Sequence, residues 1–331
     1  MSGKRLVEYE ALRGLSILLL LALHSEVFDP GIFGERLGNL AAFVATFLLG
    51  SFFFLAGFFT EASLSKPDAS AFRFMWSKFI RIYPPYWLAL VLFIFILDYD
   101  LNRSALAVYL LNLQAVFSPT FVKSLLTLWY ISMLVVFYIV YGSMMMTIRS
   151  SLGLVIASFV VFFMALWAHL TYAIFDPRFF QYYFIFLAGV LFYRYEAIRV
   201  KVFELHFLIK IFFALLSIAS LQWAFVSQYP STHIFYVLAT GFYILSWDLL
   251  WLTIFRTPLG SWGVWSWLST ASFFAYLIHR PLWRLMDGLL GVEKGLTAVF
   301  MHLLPGAILA LLIGYFLQGG YDRLLAGLRL K

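Results

Sequence analysis

Cysteine is absent from all 331 residues, which excludes disulfides, thiolate metal sites and cysteine nucleophiles and leaves the compartment open. Charge is scarce too. Asp, Glu, Lys and Arg make up 12% of the chain against 63% hydrophobic residues, where soluble domains are only about half apolar. Repeats, low-complexity tracts and any hydrophilic stretch longer than Ser63 to Lys78 are also missing, so the chain reads as one domain, 1–331. No histidine pair at i, i+4 and no clustered carboxylates are present, so no metal site is expected. The first apolar helix contains Arg13 and lacks a small-residue cleavage site after it, so it reads as a retained helix, not a secretory signal. Acidic residues are outnumbered by basic ones, 16 to 23, a formal net charge of +7. In so apolar a chain that excess bears on topology and gives no reason to expect nucleic acid.

Apolar runs of spanning length, about 17 to 25 residues, fall near 9–28, 40–63, 82–97, 126–148, 152–172, 179–195, 206–227, 233–254, 266–290 and 295–317. The expected fold is therefore all-α, a polytopic transmembrane bundle of about ten spanning helices. Residues 104–117 form a shorter run that contains Asn112 and Gln114 and ends before Ser118-Pro119, and it reads as a short span or a re-entrant segment. Loop charge decides between the two, because Lys and Arg collect on the cytoplasmic side. With the N-terminus inside and 104–117 turning back, Lys4, Arg5, Lys66, Arg73, Lys78, Arg81, Arg149, Arg194, Arg199, Lys201, Lys210, Arg256, Arg323, Arg329 and Lys331 are cytoplasmic, and only Arg36, Arg103, Lys123, Arg178 and Lys294 are outside. A crossing at 104–117 makes outside the richer side. Ten spans with both termini cytoplasmic is the expectation.

Inside the first run stand Arg13 and His24. Eleven residues at about 100° each come to about 1100°, close to three full turns, so the two side chains share a face about 16 Å apart. An ionisable group in a spanning helix is costly unless it faces protein or water, which favours a site inside the bundle over snorkelling at the two interfaces. After the second run, Lys66, Arg73, Lys78 and Arg81 form a basic loop suited to a phosphate-rich ligand, or to an ordinary positive-inside loop. Tyr83-Pro84-Pro85-Tyr86 follows, and paired prolines are expected to break the incoming helix beside the cations. Trp129, Tyr130 and Ser132 open the 126–148 run, where aromatics commonly mark a membrane interface. Tyr276 and His279 share a face near Arg280, Pro281 and Arg284, at a helix mouth or in a wet cavity. His169 and His302 read as core histidines, and His206 and His233 as solvated ones at span ends.

Five stretches carry a resemblance. Glu10-x-x-Arg13-Gly14-Leu15 followed by His24, Ser51-Phe-Phe-Phe-Leu-Ala-Gly57-Phe, Lys78-Phe-Ile-Arg81-Ile-Tyr-Pro-Pro-Tyr-Trp87, Leu128-Trp129-Tyr130-Ile-Ser132 and Phe274-Ala-Tyr276-Leu-Ile-His279-Arg-Pro281 resemble, in order, the motifs of the acyltransferase-3 family of integral membrane proteins. The resemblance implies an O-acyltransferase that moves an acyl group, most simply acetyl from acetyl-coenzyme A, onto a hydroxyl of a carbohydrate such as a cell-surface or exported polysaccharide. It is expected in the bacterial inner membrane, among membrane lipid, with acyl-coenzyme A as donor substrate and no permanently bound cofactor.

In that reading His24 is the general base or an acyl carrier, with Arg13 supporting the donor, and Lys78, Arg81 and Arg73 hold the phosphates of the coenzyme. Glu10, Trp129, Tyr130, Ser132, Tyr276 and His279 line or support the substrate path. The family has arginine where Lys78 stands, and many members have a glutamate at the position of Leu134. Glu10, Glu26 and Glu61 are equal candidates to replace that carboxylate. The chain resembles the stand-alone form of the family, without an extra extracellular domain. The competing reading is a transporter or flippase-like component of a polysaccharide export system, whose buried charges line a path.

Overall fold

A computed structural model describes residues 6–28, 39–66, 69–99, 101, 103–293 and 295–328. The charges at Lys4, Arg5, Arg36, Lys294, Arg329 and Lys331 lie outside the described residues, within which the secondary structure is helical throughout, with no strand. The helices are α1 (Val7–His24), α2 (Leu40–Leu64), α3 (Ala71–Ile96), the short α4 (Leu106–Leu110) and α5 (Gln114–Phe117), α6 (Trp129–Thr147), α7 (Ser151–Tyr172) and α8 (Arg178–Arg194). Then come α9 (Glu196–Glu204), α10 (Phe207–Val226), α11 (Ile234–Phe255), α12 (Gly263–Leu290) and α13 (Leu296–Met301), which passes through a π-helical turn, His302–Gly306, into α14 (Ala307–Gly327).

Every apolar run of the sequence falls on a helix, but among the described residues seven, not ten, are long and apolar enough to cross a membrane by length and composition. The three that fall short have visible reasons. Glu8, Glu10 and Arg13 lie in the 18 residues of α1, α8 has 17 residues, and α12 is diluted by His279, Arg280, Arg284 and Asp287.

Two compact units divide the chain. The first comprises Met1–Phe52, Leu88–Asp100 and Trp247–Lys331. Within it α12 packs against α14 and α1. Gly14 makes the second contact close, since a Cβ there would stand 3.2 Å from Leu268 Cβ and from the Trp265 ring. Gly314 does the same for α14, where a Cβ would meet the Ala275 nitrogen at 2.7 Å. Asp248 of α11 is buried here, its Oδ1 taking a 2.5 Å hydrogen bond from Ser51 of α2.

The second unit comprises Phe53–Trp87 and Leu101–Ser246. Its core is an aromatic cluster that includes Phe53, Tyr130, Phe137, Tyr141, Phe179, Tyr183 and Phe186. Gly57 of α2 and Gly189 of α8 face each other's helices, and a Cβ on either would collide with a backbone carbonyl, of Phe186 and Phe54 respectively.

The proline pair corrects the sequence expectation. Helix α3 is unbroken and holds Pro84 and Pro85 in its interior, and it begins at Ala71, so Arg73, Lys78 and Arg81 lie on a helix and not in a loop. The broken element is the 104–117 run, where α4 and α5 have five and four residues, about 8 Å or less apiece, and no helix crosses. Between them Asn112 takes φ +56°. A helix end leaves its last carbonyls without intrahelical donors. Four successive carbonyls here receive side-chain donors: Tyr86 Oη to Tyr109, Trp87 Nε1 to Leu110, Tyr83 Oη to Leu111 and Ser132 Oγ to Asn112, at 2.7, 2.9, 2.9 and 2.7 Å. Three of the four donors come from one turn of α3, Tyr83 to Trp87.

Candidate functional site

Helix α1 ends on His24, and its C-terminal turn delivers that imidazole to α12. His24 Nδ1 lies 2.8 Å from His279 Nε2, with the ring planes within 1° and the centroids 4.9 Å apart. The nitrogens are far closer than the ring centres, so the rings meet edge to edge in one plane and share a proton instead of stacking. His279 sits in the interior of α12 and is fully buried, which places it neither at a helix mouth nor in open water.

The proton's direction follows from the other side of the ring. His279 Nδ1 lies 2.8 Å from the Tyr276 carbonyl oxygen and 3.2 Å from that of Ala275, and both can only accept, so Nδ1 carries the hydrogen. In the neutral ring Nε2 is then an acceptor, and His24 Nδ1–H donates to it. This leaves the lone pair of His24 on Nε2, pointed away from its partner. The carbonyls of α12 thus set the tautomer of His279, and His279 sets that of His24.

Arg280 adjoins the pair, and its charge acts on both imidazoles and on Tyr276, Glu26 and Tyr99. Glu26 follows at the C-terminus of α1 with φ +67°, a left-handed conformation uncommon for a side chain of its size. One turn along α12, Trp283 packs edge-on against His279 and stacks on His302 at 4.8 Å, and His302 Nε2 donates to Asp287 Oδ1 at 2.9 Å. His302 is therefore partnered by a carboxylate and lies in the π-helical turn.

The other expected residues are placed as follows. Arg13 is half-buried on α1, about 16 Å before His24 along the helix, with Glu10 half-buried in the first turn. In the second unit Arg73 and Arg81 are exposed, whereas Lys78 is half-buried, with its ammonium 4.4 Å from the centre of the Tyr138 ring and 5.2 Å from that of Phe74. Trp129 and Tyr130 are buried and not arrayed as an interface belt: the Arg178 guanidinium lies 3.7 Å over Trp129, and Tyr130 packs on Phe53. Ser132 accepts from the Ala115 N–H at 2.9 Å as well as donating to Asn112, so it braces the broken 104–117 segment. Glu61 is held in a two-pronged ion pair by Arg194, through Nε at 3.1 Å and Nη2 at 3.0 Å.

Among the described residues no cluster of three histidine and carboxylate ligands suited to a metal occurs. Spacing alone missed the His24–His279 bond, which joins positions 255 residues apart. The local signal that was available is a histidine whose Nδ1 reaches carbonyls three and four residues back on its own helix. His206 and His233 do more than meet solvent, each accepting a backbone N–H at a helix start through Nδ1, and His169 donates at the end of α7 to the carbonyls of Ile174 and Phe175.

No curated protein and no solved structure matches the chain. A family model does: residues 6–319 match the acyltransferase-3 model, described as an acyltransferase domain. With the match covering nearly the whole chain and helices fit to span a bilayer, the protein belongs to the acyltransferase-3 family of membrane acyltransferases.

Proposed function

We propose that the protein transfers an acyl group, most simply acetyl from acetyl-coenzyme A, to a hydroxyl of a carbohydrate. The observation that carries this reading is the His24–His279 hydrogen bond, with its proton direction set by the carbonyls of Tyr276 and Ala275. A general base needs a lone pair held in place and a means of accepting charge. His24 Nε2 supplies the first. His279, accepting from Nδ1–H, supplies the second, because that hydrogen bond strengthens when His24 takes up a proton. His279 then fills the orienting role that a carboxylate plays elsewhere, with Leu134 standing where many relatives have glutamate. Glu61 is committed to Arg194, and Glu10 and Glu26 remain as outer supports.

On this reading the acceptor hydroxyl loses its proton to His24 Nε2 as its oxygen attacks the thioester carbon. The coenzyme thiolate leaves and recovers that proton. Lys78, Arg81 and Arg73 hold the phosphates of the coenzyme, Arg13 supports the acyl donor, and Tyr276, Trp129 and Tyr130 shape the path. Lys78 already rests on Tyr138, so exposed Arg81 carries more of the phosphate contact than Lys78 does. The membrane is the bacterial inner membrane, with both termini cytoplasmic and the coenzyme drawn from that side.

Transfer of radiolabel from acetyl-coenzyme A to the envelope glycans of inverted membrane vesicles tests the proposal. Vesicles carrying the protein label glycan, and vesicles with His24→Ala, inserted to the same level, label it at less than about a tenth of that rate, the low end of what a positioned base contributes. Undiminished labelling by His24→Ala contradicts the assignment.

A further inference from the structure

Among the described residues Arg280 is a cation without a counter-ion. Its residue is half-buried, and its Nε is fully buried with no hydrogen-bond partner. Among the described residues no carboxylate lies within ion-pair distance of it: Asp287 is taken by His302, Glu61 by Arg194 and Asp176 by Arg178. Glu26 is exposed and acts on Arg280 only at a distance. Arg284, one turn on, is exposed and needs no such partner. An unpaired guanidinium inside an apolar helix is costly, and that cost is offset when an anion occupies the place the cation faces. Arg280 follows His279 directly on α12, and its charge acts on both His279 and His24.

We propose that Arg280 is a catalytic residue, its guanidinium holding the negative charge that develops on the thioester carbonyl oxygen during transfer. This rests on the acyl-transfer reading above and adds the electrophilic half of the site. As the acceptor oxygen forms its bond to the carbonyl carbon, its proton passes to His24 Nε2 and the carbonyl electron pair moves onto oxygen, where Arg280 Nε–H donates to it. The C=O bond then re-forms, the C–S bond breaks, and the thiolate takes the proton back from His24. An ester and a free thiol result, with no further reactant. A donor that is unpartnered in the resting site is ready for charge that exists only in the transition state, which is where such contacts raise the rate.

The test uses inverted membrane vesicles with their own envelope glycans as acceptor, and compares acetyl-coenzyme A with fluoroacetyl-coenzyme A for wild type, Arg280→Gln and Arg280→Lys. Arg280→Gln is expected to lower kcat with acetyl-coenzyme A by about a hundredfold to a thousandfold at unchanged KM, the usual loss for one such donor, with Arg280→Lys between it and wild type. Fluorine withdraws charge from the oxyanion, so the fluoroacetyl-to-acetyl rate ratio rises in Arg280→Gln above that of wild type. Because this ratio is taken within one protein sample, a smaller folded fraction leaves it unchanged. An active wild type with an unaltered ratio in Arg280→Gln overturns the assignment, as does a raised acceptor KM at unchanged kcat, which makes Arg280 a holder of the acceptor's own anion. A wild type silent with both donors overturns the acyl-transfer reading itself.

Discussion

At the scale of single residues, the two ends of the molecule's charge inventory behave differently. Asp176, in the loop before α8, is nearly fully buried, and burial alone pushes its carboxyl up. The Arg178 guanidinium, which binds it through Nε at 2.7 Å and Nη2 at 2.5 Å, together with the Ser124 hydroxyl and the Arg178 N–H, outweighs that and holds the carboxyl below its ordinary range. A group with a lowered folded pKa stabilises the protein above its unfolded pKa, near 4, and loses that contribution as pH falls through the folded value. Asp176→Asn is therefore expected to cost about 1 to 2 kcal/mol at pH 7 and to flatten the fall in Tm between about pH 5 and pH 2. Thermal melts of purified protein check this, and parallel Tm profiles for variant and wild type contradict it. How much of the site was legible in the sequence follows the same line between local and distant. Arg13, His24, Tyr276 and His279 stood out because ionisable or polar groups in apolar runs are costly wherever the chain goes. Their pairing did not stand out, because nothing in α1 specifies that its last residue will meet the middle of α12. Arg280 was visible as a charge in the same turn, but its lack of a partner is a property of the packed protein.

Among elements, the broken 104–117 segment shows how an irregular backbone is kept in an apolar setting. Every exposed carbonyl there needs a donor, and Tyr83, Tyr86, Trp87 and Ser132 supply four in succession. The sequence showed the proline pair and suggested a break in α3. The structure puts the break in the facing segment and uses the tyrosines around the prolines to hold it. Pro84 and Pro85 withdraw only the two helical donors that would meet the Ile80 and Arg81 carbonyls, and the helix runs continuously from Ala71 across them to Ile96. Tyr86→Phe and Ser132→Ala each leave a buried carbonyl unmet and are expected to cost about 1 to 3 kcal/mol. Hydrogen exchange should show the loss as faster exchange across 104–117 with α6 still protected, and unchanged exchange in that segment contradicts the capping role.

For the whole molecule, the first unit bears on topology by itself. Gly14 meets Leu268 and His24 meets His279, so α1 and α12 run the same way; Gly314 meets Ala275 while Gly306 meets Trp283, so α14 runs back. The start of α1 and the end of α14 thus lie at one end of that unit. If both span the bilayer, an odd number of crossings between α1 and α12 is required, which agrees with 104–117 turning back and α2, α3, α6, α7, α8, α10 and α11 crossing. Single cysteines at Ser70 and Ala326, in a chain that has none of its own, are expected to react with an impermeant thiol reagent only from the cytoplasmic side, and labelling from opposite sides contradicts this topology. Donor binding is expected to weaken when Lys78 and Arg81 are both replaced by alanine, by about 2 to 4 kcal/mol if their phosphate contacts are charge-assisted, and calorimetric titration of acetyl-coenzyme A would show no change if those cations serve topology alone. The claim on which the rest depends is that His279 acts through His24, and the most direct measurement is a double-mutant cycle on acetyl transfer with His24→Ala, His279→Ala and the pair together. The account predicts that each single variant loses activity, His24→Ala the more, and that the double variant is no slower than His24→Ala, since a positioning group has nothing left to position. Losses that simply multiply, or a fully active His279→Ala, would contradict it.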